Sequence, residues 1–291
     1  MIVRRKFLWH AGSFRLELGE KTLVMGIVNV TPDSFSGDGV LVPRRKEKIP
    51  GFSRALELVD EGADILDVGG ESSRPGALVL SVQEELGRVL PLVKMLVKSV
   101  KVPVSVDTYK PMVARQALDA GASIVNLIQG TPEGGIPLAL LKVVKRSGAG
   151  FILMHMRGDP RTMQTLTSYH DVVRDVKRAL KKTLDNCLGY GIKRDSIVVD
   201  PGIGFAKTAG QSLVILQRLN ELASLRIPVL VGTSRKSFIG KTLGVDVDDR
   251  LTGTAATVAL AVACGAHMVR VHDVKAMKQA VLMADAVGMA K

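Results

Sequence analysis

Short runs of β-branched and other apolar residues recur along the chain. Each closes on a polar or ionisable residue, then passes into a turn rich in Gly, Pro or Ser and on to an amphipathic stretch. The runs fall at residues 23–30, 65–70, 102–108, 123–128, 150–156, 196–202, 228–234 and 268–273, which predicts eight strands. Helical periodicity between them covers, among others, residues 81–97, 110–120, 171–188, 211–223 and 250–263. A second repeat marks the other end of the units. Gly62-Ala63, Gly121-Ala122, Gly148-Ala149 and Gly265-Ala266 each stand between a helical stretch and the next strand. Glycine there ends a helix in the left-handed conformation, and the small Ala packs where the chain re-enters the sheet. Strand–helix units repeated eight times, with strands apolar on both faces, predict an α/β fold: a closed parallel (β/α)8 TIM barrel. An open doubly wound sheet is the alternative. No low-complexity linker divides the chain. Residues 1–291 are therefore read as one domain, with residues 1–20 forming a short cap or hairpin over the barrel's bottom.

Composition narrows the class. Apolar residues make up 46% of the 291 residues and charged residues 23%, a globular balance that excludes a disordered or collagen-like chain. No run approaches the roughly eighteen apolar residues of a membrane span. Arg4-Arg5-Lys6 resembles the basic start of a signal peptide, but Phe7-Leu8-Trp9 is followed at once by His10, so no apolar core follows it. Two cysteines, Cys187 and Cys264, are too few for a disulfide framework or a metal cluster. A cytoplasmic location is expected. The net charge of +12 is less ordinary and suits nucleic acid, an anionic membrane or a phosphorylated substrate. With one Trp and three Tyr, and basic residues spread along the chain, it argues against nucleic acid. The densest basic run, Arg44-Arg45-Lys46-Glu47-Lys48, reads as a solvated loop with a lid as the alternative.

The active site of such a barrel lies at the carboxyl ends of its strands. Those ends carry, in order, Asn29, Glu71 with Ser72-Ser73-Arg74, Asp107, Asn126, His155, Asp200, Ser234-Arg235-Lys236, and Arg270 with His272. Eight polar ends converging on one rim point to an enzyme. Asp107, Asn126 and Asp200 supply acceptors suited to a flat heterocycle with several N–H donors on one edge, such as a 2-amino-pyrimidinone. Lys236, Arg270 and His272 fall in the quadrant that commonly holds phosphate, and Arg74 adds a cation. The substrate is expected to be bipolar, a hydrogen-bonding ring joined to an anion. His155, between two methionines, reads as a packed histidine rather than a base. Gly202-Ile203-Gly204 lacks the third glycine and the acid of a dinucleotide fingerprint. Asp67 lies within an apolar strand, where a buried carboxylate needs a partner; its role stays open.

Seven motifs then follow in order: MGIVNVTPDSFS at 25–36, GGESSRPGA at 69–77, VDT at 106–108, LMHM at 153–156, DPGIGF at 200–205, SRKS at 234–237 and RVHDV at 270–274. Together they resemble the signatures of the dihydropteroate synthases, over essentially the whole chain from Leu23 to Val274. The resemblance implies condensation of 6-hydroxymethyl-7,8-dihydropterin pyrophosphate with p-aminobenzoate in folate synthesis. Carried over by position, it implies that Asp107, Asn126, Asp200, Lys236 and Arg270 hold the pterin, with Asp107, Asp200, Lys236 and Arg270 as the catalytic set. Asn29, Arg74, Arg270 and His272 would bind pyrophosphate, with Mg²⁺ coordinated through Asn29. Phe35, Ser73, Arg74, Pro75, Phe205, Ser234 and Lys236 would form the p-aminobenzoate pocket, where sulfonamides would compete. A homodimer through the late helices is implied as well, and residues 254–266 form a small-residue stretch suited to close packing.

The expected chemistry is loss of pyrophosphate to a pterin-stabilised cation, then attack by the arylamine. Gly37-Asp38-Gly39 and Pro75-Gly76 are turn formers, so the first two loops are expected to be mobile and to order around pyrophosphate and Mg²⁺, with pterin binding first. The sequence departs from the family pattern in three places. Ser73 stands for Thr, Leu127 for Asp after Asn126, which leaves open what supports Asn126, and a basic insertion spans about residues 40–50. The competing functions are a non-catalytic pterin-binding paralogue, a methyltetrahydrofolate–corrinoid methyltransferase, and a basic nucleic-acid module if the charge gathers on one face.

Overall fold

A computed structural model describes residues 4–31, 49–74, 76–128 and 135–290. The chain opens with an antiparallel hairpin, β1 (Phe7–Ala11) and β2 (Phe14–Leu18). Eight further strands then form at the marked runs: β3 (Leu23–Asn29), β4 (Ile65–Gly69), β5 (Val104–Asp107), β6 (Ile124–Leu127), β7 (Gly150–Met154), β8 (Ile197–Asp200), β9 (Leu230–Val231) and β10 (Met268–Val271). They pair in parallel in the order β8-β7-β6-β5-β4-β3-β10-β9. A parallel bridge between Val199 and Val229 joins β8 to the chain entering β9, so the sheet closes on itself. The helices are α1 (Phe52–Asp60), α2 (Val82–Ser99), α3 (Pro111–Asp119), α4 (Leu138–Ser147), α5 (Val172–Tyr190), α6 (Ala209–Gln217), α7 (Ser237–Leu243), α8 (Leu251–Ala263) and α9 (Val274–Met289). The closed barrel excludes the doubly wound alternative. Among the described residues no helix is long and apolar enough to cross a membrane.

The period of two along each strand sorts its side chains. Val24, Val28, Leu66, Val68, Val104, Val106, Val125, Phe151, Leu153, Val199, Val269 and Val271 point outward into one continuous core under the helices. Met25, Ile65, Ile124, Ile152, Val198, Leu230 and Met268 point inward near the strand starts and make the barrel's floor. The hairpin closes this floor from below, as expected of residues 1–20. Trp9, Ala11 and Leu18 join the floor cluster, and Trp9 donates its indole N–H to Ser196 O at 2.9 Å. Gly150 makes the fit possible, because a Cβ there would lie 2.7 Å from Trp9 Cζ2 and 2.9 Å from Ala11 Cβ.

The Gly-Ala repeat behaves as its pattern implies. Gly62, Gly121 and Gly265 have φ of 99°, 106° and 105°. The Ala after each donates its N–H to a carbonyl five residues back, as in Ala63 to Leu58, Ala122 to Ala117 and Ala266 to Ala261. The stretch 211–223 departs from one continuous helix. α6 starts earlier, at a capping box between Thr208 and Gln211, and the chain tightens into a 3-10 segment at Leu219–Leu225. Leu219, Leu222 and Leu225 are all buried, and their spacing of three suits that tighter winding.

Both ends of the described chain meet at the bottom. Asp285 of α9 accepts from Arg4 Nη2 at 2.6 Å, and from the N–H and Oγ1 of Thr22, just ahead of β3, at 2.7 and 2.8 Å.

Candidate active site

Strand register lines up the first functional row. Asn29 lies beside Gly69, Gly69 beside Asp107 and Asp107 beside Asn126, so one rung crosses four adjacent strands. Gly69 leaves the space between its neighbours open: a Cβ there would sit 3.5 Å from Asp107 Cβ and 3.7 Å from Asn29 Oδ1. Asp200 stands at the end of β8, its Oδ1 accepting from the Gly202 N–H at 2.7 Å. Gly202 has φ of 66°, and a Cβ there would fall 1.9 Å from His155 O. That position accepts glycine alone.

Two cations complete the interior. Arg270 Nε donates to Asp67 Oδ2 at 2.6 Å and its Nη2 to Asp107 Oδ2 at 3.0 Å. Asn126 Nδ2 also donates to Asp67 Oδ2, at 3.0 Å. Asp67 thereby answers two questions the sequence left open. It is the fully buried inward carboxylate of β4, and it holds both Arg270 and Asn126. Leu127 plays no part in that support, because its side chain lies in the outer core. Lys236 donates to Ile203 O, and its ammonium lies 4.5 Å from the centre of the Phe205 ring.

Burial pushes the Asp107 carboxyl well above the usual range; Arg270 opposes this, while Asp67, Glu85 and Glu71 add to it. Burial also raises Asp200 against the pull of Lys236, and it brings Lys236 down to about 8 although Asp200 favours its charge. Asp67, Asp107 and Asp200 share the interior with Arg270 and Lys236, and Lys207 also acts on Asp200. Asp107 and Asp200, whose charged forms burial disfavours, gain from positive charge appearing on a bound molecule.

The anion side is built differently. Ser234 Oγ accepts the His272 N–H at 3.2 Å and meets His272 Nδ1 at 2.9 Å. Where the hydroxyl donates to Nδ1, Nε2 carries the imidazole proton. Ser234 is thus tied to His272. Arg54 Nη2 donates to His272 O at 3.1 Å and fixes the same turn. Ser72 and Ser73 line a cleft with Asp107, Thr108, Ile128 and Pro160, so the second loop opens onto the first row. Arg74 follows, its N–H 3.4 Å from Ser72 Oγ. Phe35 and Pro75 lie outside the described residues, as do residues 32–48 with most of the basic insertion.

Two of the eight polar strand ends are engaged by neighbouring lysines, Glu71 while still lining the cleft beside Ser72, Ser73 and Asp107. Glu71 binds Lys110 and the Leu80 N–H. His155 is buried, with Nδ1 3.0 Å from Lys207 Nζ. Burial, reinforced by Lys207 and Arg157, holds His155 well below the ordinary histidine range, so it is a neutral, packed ring as expected. Lys207, Lys110 and Glu85 were not singled out in the sequence. Glu85 had a legible signal, since it shares the apolar stripe of α2 with Val89, Leu92 and Leu96.

Comparison with known proteins decides the family. Residues 25–272 match the model of the pterin binding enzyme family. A Synechocystis sp. dihydropteroate synthase is 45% identical over 280 residues, covering 94% of this chain and 93% of that protein. The chain belongs to the dihydropteroate synthase family. Among solved dihydropteroate synthases, the Yersinia pestis enzyme in a sulfonamide drug complex superposes with a TM-score of 0.90 at 36% identity, covering 98% of this chain and 100% of that one. The Xanthomonas albilineans dihydropteroate synthase with 4-aminobenzoic acid gives 0.83 at 38% identity, covering 94% and 96%. Both neighbours are dihydropteroate synthases with the fold described above.

Proposed function

We propose that the chain is a dihydropteroate synthase, joining 6-hydroxymethyl-7,8-dihydropterin pyrophosphate to p-aminobenzoate with release of pyrophosphate. The observation that carries this is the set Asp107, Asn126, Asp200, Lys236 and Arg270 at the barrel mouth, Asn126 and Asp200 buried and the other three partly exposed. It pairs acceptors for a ring's N–H edge with carboxylates that gain from a cation beside them. Asp107 and Asn126 take the N–H edge of the pterin, Asp200 and Lys236 hold its far side, and Arg270 flanks it. As the C–O bond to pyrophosphate breaks, positive charge spreads from the methylene into the dihydropterin, where Asp107 and Asp200 stabilise it. The arylamine of p-aminobenzoate then attacks the methylene and loses a proton. No covalent bond to the protein forms.

The pyrophosphate falls to Asn29, Arg74, Arg270 and His272. No group of three or more His, Cys, Asp or Glu among the described residues resembles a metal cage. The Asn29 carboxamide oxygen, over the open space at Gly69, instead suits a Mg²⁺ that brings most of its oxygen ligands with the phosphates. Bound there, Mg²⁺ neutralises charge on the leaving group. Sulfonamides occupy the p-aminobenzoate pocket formed by Ser73, Arg74, Pro75, Phe205, Lys236 and Phe35, with Ser234 behind it on His272. The enzyme works in the cytoplasm as a homodimer. Leu260 on α8 and Leu282, Met283 and Val287 on α9 are each more than half exposed and give the late helices an apolar face for that contact.

The deciding experiment is pyrophosphate release from the pterin substrate with Mg²⁺, with and without p-aminobenzoate. Release that requires p-aminobenzoate and yields dihydropteroate is expected. Binding of the pterin without release identifies a non-catalytic paralogue instead.

A further inference from the structure

The segment bearing Ser72, Ser73 and Arg74 is closed at its neck by one carboxylate. Glu71 Oε2 accepts the Leu80 N–H at 2.8 Å, which ties the segment's first residue to its last before the Ser81 cap of α2. The same oxygen accepts from Lys110 Nζ, and Lys110 also reaches Glu85 Oε2. Lys110 stands at the start of α3, three residues after Asp107, and Glu85 lies in the first turns of α2. The three side chains are 9%, 11% and 1% exposed for Lys110, Glu71 and Glu85, and Tyr109 lies over the ammonium at 4.7 Å.

Such a buried ionic trio is a poor way to stabilise a fold. Desolvating the charges offsets most of what their attraction gains, and apolar side chains of similar size would hold α2 against α3 as well. It does fix a point in space. The backbone entering the loop is pinned from the other side too: Arg88 Nη1 donates to Gly70 O at 3.0 Å, and a Cβ on Gly70 would come 2.7 Å from Val89 Cγ1. Further along, the Gly76 N–H reaches Pro160 O at 3.1 Å. The loop is held by its neck to the elements that carry Asp107.

We propose that Glu71, set by Lys110 and Glu85, is a positioning residue for the second substrate: it holds Ser73 and Arg74 at the p-aminobenzoate pocket while touching neither substrate. This rests on the reading of that pocket given above. Glu71→Ala opens the neck and leaves Lys110 and Glu85 as a balanced pair. KM for p-aminobenzoate should rise tenfold or more, with the dissociation constant of the pterin substrate within threefold of wild type. Glu71→Gln keeps an oxygen for both Leu80 and Lys110 and should return KM to within threefold.

Leu80→Pro removes the neck's donor, fixes φ at that position and keeps all three charges. It should raise KM as Glu71→Ala does, and it carries the test if Glu71→Ala does not fold. An unchanged KM in the variant that folds, equal losses for both substrates, or a Gln variant as impaired as the Ala variant overturns the proposal. Calorimetry with a sulfonamide, on full-length protein holding pterin and pyrophosphate with Mg²⁺, gives the same comparison without turnover. A chain that binds but does not react therefore still tests the loop. A wild-type chain that neither reacts nor binds overturns the functional reading and the proposal together.

Discussion

Arg270 shares one guanidinium between Asp67 and Asp107, and burial pushes the Asp107 carboxyl well above the usual range in spite of it. The cost of its charge is recovered when a cation develops beside it. Asp107→Asn keeps an acceptor oxygen for the pterin and loses the charge. We expect kcat to fall about 10²-fold or more, with pterin affinity weakened far less; equal losses by rapid-mixing and binding measurements would count against the cation. Lys236 sets the opposite limit. With its ammonium brought down to about 8 by burial, kcat/KM for the pterin substrate should fall as pH rises through that value. Below it, activity should fall where the raised Asp107 and Asp200 take up protons, above the ordinary carboxylate range. Lys236→Arg, whose guanidinium does not titrate there, should lose the alkaline limb of the profile even if its rate is lower. Pterin chemistry was legible in these residues because strand ends in a barrel must converge. Asp67 was harder to read, because its importance comes from what it holds rather than from what it touches.

The elements were the most legible part of the molecule, and the reasons differ. The eight strands follow from apolar runs buried on both faces, and the Gly-Ala pairs from a helix end that demands positive φ. One strand end misled. His155 was placed on the rim by proximity to a strand's end, whereas its ring is buried against Lys207. The hairpin was expected from residues 1–20, yet what fits it to the floor is Gly150, a partner far away in the chain that no local pattern reveals. Gly150→Val should push Trp9 out of the floor cluster. The expected cost is about 1–3 kcal/mol in urea unfolding, with kcat unchanged because the site lies at the other end of the strands. A loss of activity without a loss of stability would contradict that separation.

Charge is unevenly placed: the chain is +12 overall, yet Asp67 and Asp107 gather on a single Arg270 inside the barrel. The field outside attracts an anionic pterin pyrophosphate, and the interior favours the cation left once pyrophosphate departs. On the proposed order, p-aminobenzoate, itself an anion, binds after the first substrate. Calorimetry should therefore find weak p-aminobenzoate binding to the free protein and tight binding once a pterin, pyrophosphate and Mg²⁺ are present. Tight binding to the free protein would rule out that order. A further consequence lies in the ties from Arg4 and Thr22 to Asp285. Because the first and last described segments clasp each other beneath the barrel, the described backbone comes close to closing on itself. A short linker across that clasp, with fresh termini cut at the Gly191 turn between α5 and β8, gives a circular permutant that keeps every strand neighbour. Fusion partners can likewise be hung from the underside while the catalytic mouth faces away from them.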